Sequence, residues 1–113
     1  MSRLEEILNQ VQASEAYQCS PVSFGADLLG MFIRGEIAQN ALRNAYKTQT
    51  LNAQFYFRHM PKEHILENQR IFKREFDFAD ELSNILIKNP PVPDDVLKKT
   101  LLEAMEKYVE SLR

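Results

Sequence analysis

The chain reads as an all-α protein, a compact bundle of four to five helices in a single domain spanning residues 1–113. Three observations carry that reading. Only three glycines and five prolines occur in 113 residues, which leaves little turn chemistry for a β fold. Helix-start signals recur at Ser2, Ser20-Pro21, Pro61 and Pro93. Apolar residues then follow each start at spacings of three and four, the period of a helix with one buried face.

Ser2-Arg3-Leu4-Glu5 fits a capping box, in which the serine hydroxyl takes an orphan backbone N–H and the glutamate reaches back. Leu4, Ile7, Leu8 and Val11 fall on one face behind it, so the first helix is expected over about 3–17. Ser20-Pro21 has the form of an N-cap followed by proline at the first helical position. The helix after it, about 21–33, is apolar nearly all round and is expected to be central. Gly25 and Gly30 each cost ~1 kcal/mol of helix propensity against alanine, a cost that a close helix–helix approach would justify.

Gly35 marks a break. From Glu36 the chain is amphipathic, with Ile37, Ala41, Leu42, Ala45 and Tyr46 on one side. Glu36, Gln39, Asn40, Arg43, Asn44 and Lys47 form the other. Thr48-Gln49-Thr50 is poor helix material, and Leu51, Ala53, Phe55 and Phe57 alternate with polar residues and Tyr56 at a strand's period. No convincing second strand pairs with this stretch, so the expectation is one helix over 36–58, with a possible break near 48–50.

Pro61 opens the longest helix, about 61–88. On a straight wheel its apolar residues, among them Phe72, Phe78, Leu82 and Ile85, cover about 200°, wider than one core contact needs. That excess points either to a helix wedged between others or to a face that meets a second chain. Asn89-Pro90-Pro91-Val92-Pro93 stops the helix and stiffens the connector. Asp94 and Asp95 follow in a first turn, where the helix dipole favours acids, and the last helix runs to about 112. The 61–88 and 94–112 helices are expected to pair antiparallel across the proline connector.

The charge is unevenly placed. Residues 34–74 hold eight basic side chains against three acids, whereas residues 1–33 run at −3 and 75–113 at −4. A net charge of −2 therefore conceals a basic middle, which also carries Tyr46, Phe55, Tyr56, Phe57 and Phe72. Cys19 is the sole cysteine, which excludes an internal disulfide and a cysteine-based metal site and fits a reducing compartment. The opening MSRLEEILNQ places acids where a signal peptide needs a positive region and an apolar run. The longest apolar stretch, Val22 to Ile33, is too short to span a bilayer. The expected location is cytoplasmic, with no membrane partner.

Catalytic patterns are sparse. There is neither a Gly-rich phosphate loop nor a GxSxG turn. His59 and His64 are five apart and do not share a helix face. His64 and Glu67 do share one, but a four-helix di-iron site needs such pairs from two helices, in the opposite order. Glu75, Asp77, Asp80 and Glu81 read as a solvated face, and Cys19 has no evident base. No catalytic residue, cofactor or metal ligand is assigned.

The positive signal is Phe55-Tyr56-Phe57-Arg58. A helix buries about half of three consecutive rings, so they either cap the core under the Arg58 stem or meet a partner beside its charge. The sequence points to a non-enzymatic protein–protein interaction module: a small regulator, adaptor or inhibitor whose partner is another protein or a second copy of this chain in a homodimer. Its candidate surface is Phe55, Tyr56, Phe57, Arg58, Phe78, Leu82 and Ile85. The alternative is a nucleic-acid-binding regulator using Arg43, Lys47, Arg58, Lys62, Arg70, Lys73 and Arg74, with residues 37–58 as a helix-turn-helix. The turn glycine that motif expects is missing.

Overall fold

The computed structural model describes residues 2–17 and 24–113, with the backbone alone for Ala16, Tyr17 and residues 52–57. The described residues form six α-helices and one π-helical turn, with no strand. The helices are α1 (Arg3–Tyr17), α2 (Ala26–Ile33), α3 (Gln39–Arg58), α4 (Lys62–Ile71), α5 (Lys73–Ser83) and α6 (Asp94–Ser111), and the π-helical turn is Asn84–Lys88. The expected Ser20-Pro21 cap and Cys19 lie outside the described residues.

Local chemistry explains most boundaries. The Ser2 hydroxyl accepts the Glu5 amide at 3.2 Å and starts α1. Ahead of α2, Gly25 takes φ +67°, and a Cβ there would lie 2.9 Å from the Tyr46 hydroxyl. Gly25 therefore lies before the helix rather than inside it. At the far end of α2, Glu36 N–H reaches Met31 C=O at 2.8 Å and Gly35 N–H reaches Phe32 C=O at 3.0 Å. These two bonds, with Gly35 at φ +79°, close the helix in a Schellman turn. α3 runs unbroken through 48–50, where the Thr48 hydroxyl donates to the Asn44 carbonyl at 3.1 Å.

The single 61–88 helix expected from the sequence is three segments. Phe72, at φ −107° and ψ 38°, leaves helical geometry and separates α4 from α5. After Ser83 the hydrogen bonding widens, and Asn89 N–H reaches back five residues to Asn84 C=O at 3.1 Å. The 200° apolar arc was a product of drawing one straight wheel. Phe78, Leu82, Ile85 and Leu86 share about 100° of that wheel and are buried together in the core, whereas Ile65, Phe72 and Phe76, which widen the arc, are half-buried.

The packing forms a closed ring: α1 on α2, α2 on α3, α3 on the π-helical turn, α5 on α6, and α6 back on α1. α5 and α6 run antiparallel, as the pairs Glu81–Lys107 and Arg74–Ser111 show. A thickness of 19 Å accommodates two helix layers. Inside the ring, Phe24, Phe78 and Tyr108 form an aromatic trio. Phe78 stacks on Tyr108 at 4.5 Å, and Phe24 meets both edge-on at 5.0 and 5.3 Å. Each such pair adds about 0.5–1.5 kcal/mol beyond area burial. Leu8, Val11, Leu29, Phe32, Leu42, Leu97, Leu101 and Met105 complete the core. α4 stands outside the ring and packs chiefly on α5.

The loop entering α2 is held from two sides. Glu15 accepts the amides of Phe24 at 2.7 Å and Ala26 at 3.2 Å, placing a carboxylate at a helix start. Tyr46 donates its buried hydroxyl to the Phe24 carbonyl. Burial, and then the Glu15 charge, push the Tyr46 phenol far above its usual range.

Candidate functional site

The sequence-predicted interaction residues separate in the fold. Phe78, Leu82 and Ile85 are 3%, 0% and 8% exposed, so they belong to the core and not to a surface. The side chains of Phe55, Tyr56 and Phe57 lie outside the described residues, while Arg58 is exposed at the last position of α3.

A different exposed element is α4. Its ten residues include none that is buried. Leu66 and Ile71 are each 55% exposed. Isolated helices shorter than about 12–15 residues are marginal in water, and helical stability in proteins comes mostly from burying one face. α4 thus has an incomplete packing surface, rimmed by the exposed cations Lys62 and Arg70. Sequence reasoning missed Leu66 because it falls off the stripe defined by Ile65 and Phe72. An aliphatic side chain among Glu63, His64, Glu67 and Arg70 was the available signal.

The basic residues divide between two regions. Arg58, Lys62, Arg70, Lys73 and Arg74 belong to the end of α3, to α4 and to the start of α5. Of these, Lys73 pairs with Asp77 at 2.7 Å and Arg74 donates to the Ser111 carbonyl at 3.0 Å. Lys47 and Arg43 lie apart, on α3 beside the proline connector. Arg43 is withdrawn from any nucleic-acid surface because it is 6% exposed.

Arg43 instead joins α3 to the chain after the π-helical turn. Its Nη1 donates to the carbonyls of Leu86 at 3.1 Å and Asn89 at 2.8 Å, and Nη2 donates to Pro90 C=O at 3.2 Å. These are carbonyls that a helix end and prolines leave without backbone donors. Nε is held by Gln39 Oε1 at 2.8 Å. The same Gln39 donates Nε2 to Val92 C=O at 2.7 Å and to Asp94 Oδ1 at 3.0 Å. One turn of α3 thereby fixes the whole path into α6.

Beside this clasp lies a cleft of about 360 Å³. Asn40, Arg43, Asn44 and Lys47 of α3 form one wall. The other is built from Leu86, Ile87 and Lys88 of the π-helical turn, followed by Asn89, Pro90 and Pro91. None of the lining residues is acidic.

Elsewhere, His64 and Glu67 are exposed on α4. Among the described residues, no three His, Cys, Asp or Glu side chains form a group that could hold a metal ion. Glu75 is 4% exposed and makes no hydrogen bond or ion pair with any described residue. No described helix is long and apolar enough to cross a membrane. Compared with known proteins, the chain matches no family model, no curated protein and no solved structure.

Proposed function

We propose that this protein is a non-enzymatic interaction module, a small cytoplasmic regulator or adaptor that docks a partner protein through α4. The observation that carries the reading is a ten-residue helix with no buried residue and two aliphatic side chains more than half exposed. A partner that covered Leu66, together with the Lys62 and Arg70 stems one turn to either side of it, would bury surface that α4 leaves open within its own chain. α4 carries two exposed cations, Lys62 and Arg70, and two exposed acids, Glu63 and Glu67, so it suits a counterpart of mixed charge, and rim charge raises association rate more than affinity. A single cysteine in 113 residues supports the reducing compartment.

The test is a photo-cross-linking residue placed at Leu66 in one variant and at the exposed Lys99 of α6 in another, both expressed in the cells of origin. A discrete protein adduct at position 66, absent at position 99 and lost on Arg70→Asp, one turn from Leu66 on the same face, is the expected result. Its mass distinguishes a second copy of this chain from a different protein. Equal labelling at both positions, or an adduct insensitive to Arg70→Asp, would remove α4 as the docking element.

A further inference from the structure

The cleft beside the Arg43 clasp has a charge surplus that the fold leaves unneutralised. Arg43, Lys47 and Lys88 line it and no acid does. Arg43 is buried, yet all its partners are neutral: three backbone carbonyls and the Gln39 carboxamide oxygen. The end of a helix contributes about half a negative charge, so the carbonyls offset only part of the guanidinium. With two lysines added, the cleft keeps a surplus of about two and a half positive charges by that accounting. Concave walls of low dielectric focus such a field.

The uncharged lining matches. Asn40, Arg43, Asn44 and Lys47 recur at i, i+3, i+4 and i+7, so α3 presents them as one face. The carboxamides of Asn40, Asn44 and Asn89 offer further N–H donors without adding charge. Ile87, Pro90 and Pro91 supply an apolar wall. A volume of about 360 Å³ falls in the range of small-molecule sites and exceeds what an inorganic ion fills.

We infer that this cleft binds a small organic phosphate, with the phosphoryl group between Lys47 and Lys88 and the organic part against Ile87, Pro90 and Pro91. A phosphate monoester carries about −1.5 to −2 at neutral pH and matches the surplus, where a carboxylate supplies half as much. The inference is independent of the α4 docking reading, since the two places share no residue.

Titration of the amide resonances at constant ionic strength tests it, with phenyl phosphate, inorganic phosphate and benzoate as probes. Phenyl phosphate is expected to give saturable shifts confined to residues 40–47 and 86–91, with weaker binding of the other two probes. Lys47→Gln and Lys88→Gln, both at exposed positions, should each weaken phenyl phosphate about tenfold, the loss of one charge-assisted bond. Lys107→Gln, on the far part of α6, should change nothing. Absence of saturation below about 10 mM would overturn the inference, since affinity would then fall short of −4 kcal/mol. Shifts outside the cleft or indifference to both lysine variants would do the same. Benzoate binding as tightly would overturn the phosphoryl assignment, and equal affinity for inorganic phosphate would overturn the ester.

Discussion

Arg43→Ala is the most informative single perturbation of this fold. The substitution removes the donor from three carbonyls and leaves Gln39 without its Nε partner. The Leu86 bond is buried, and orphaning a buried acceptor of a charged donor costs about 2 kcal/mol. The Asn89 and Pro90 bonds are only part-buried; water replaces the lost donor there, so about 0.5 kcal/mol each is reasonable. The total is about 3 kcal/mol. For 113 residues, an unfolding entropy of about 0.24 kcal/mol/K converts this into a fall in Tm of about 13 °C. Arg43→Lys keeps a charge but not the fork, so it should recover one carbonyl at most and fall between the two. Arg58→Ala, an exposed cation on the same helix, is the control and should stay within about 0.5 kcal/mol. Urea unfolding followed by far-UV circular dichroism reads all three. A loss below about 1 kcal/mol for Arg43→Ala would refute the clasp as a source of stability, because it would mean that the freed carbonyls find donors at no cost.

Tyr46 makes stability pH-dependent on the alkaline side. Its folded pKa is raised above the unfolded value of about 10. The stabilisation is therefore whole below pH 10 and declines as pH rises beyond it, where the unfolded chain sheds a proton that the folded state retains. Tyr46→Phe should cost about 1–2 kcal/mol at neutral pH and flatten that decline; an unchanged alkaline slope by urea titration would assign it to other groups. Glu75→Met should raise stability by about 1–2 kcal/mol, because it removes a buried carboxylate with no described partner; destabilisation would reveal a partner. Leu82→Ala, at a fully buried site, should cost about 2–5 kcal/mol, whereas Leu66→Ala on α4 should fall within about 0.5 kcal/mol. Comparable losses at both sites by calorimetry would contradict the division between core and docking face.

The starts of α1, α4 and α6 were legible because they depend on neighbours in sequence, whereas α2 begins at Ala26 and α3 at Gln39, later than expected, and the start of α5 was not foreseen. Ser2 caps α1, Pro61 and Pro93 precede α4 and α6, and Asp94 and Asp95 sit in a first turn, all as local rules require. The break at Phe72 and the widening after Ser83 have no proline or glycine to announce them. Phe78, Leu82 and Ile85 share one face of a helical wheel, but that this face meets the chain's own core and not a partner depends on long-range packing that no wheel shows. Arg43 was visible only as a cation on a polar face. Its acceptors lie 43 to 47 residues away, a pairing that no local pattern encodes. The cleft was half legible: the stripe of Asn40, Arg43, Asn44 and Lys47 can be read from spacing, but its facing wall cannot.

The closed ring also has a consequence for how the chain is made. Its closing contact joins the first helix to the last, with the Ser14 and Tyr108 hydroxyls 2.7 Å apart across 94 residues of sequence. Bringing ends that distant together costs about 4 kcal/mol of chain entropy. On a ribosome adding about 5–20 residues per second, α1 meets α2 early but waits roughly 5–20 seconds for α6, the other helix on which it packs. Through that interval the nascent chain displays its earliest apolar face to every holdase in reach, and the native state arrives late and all at once.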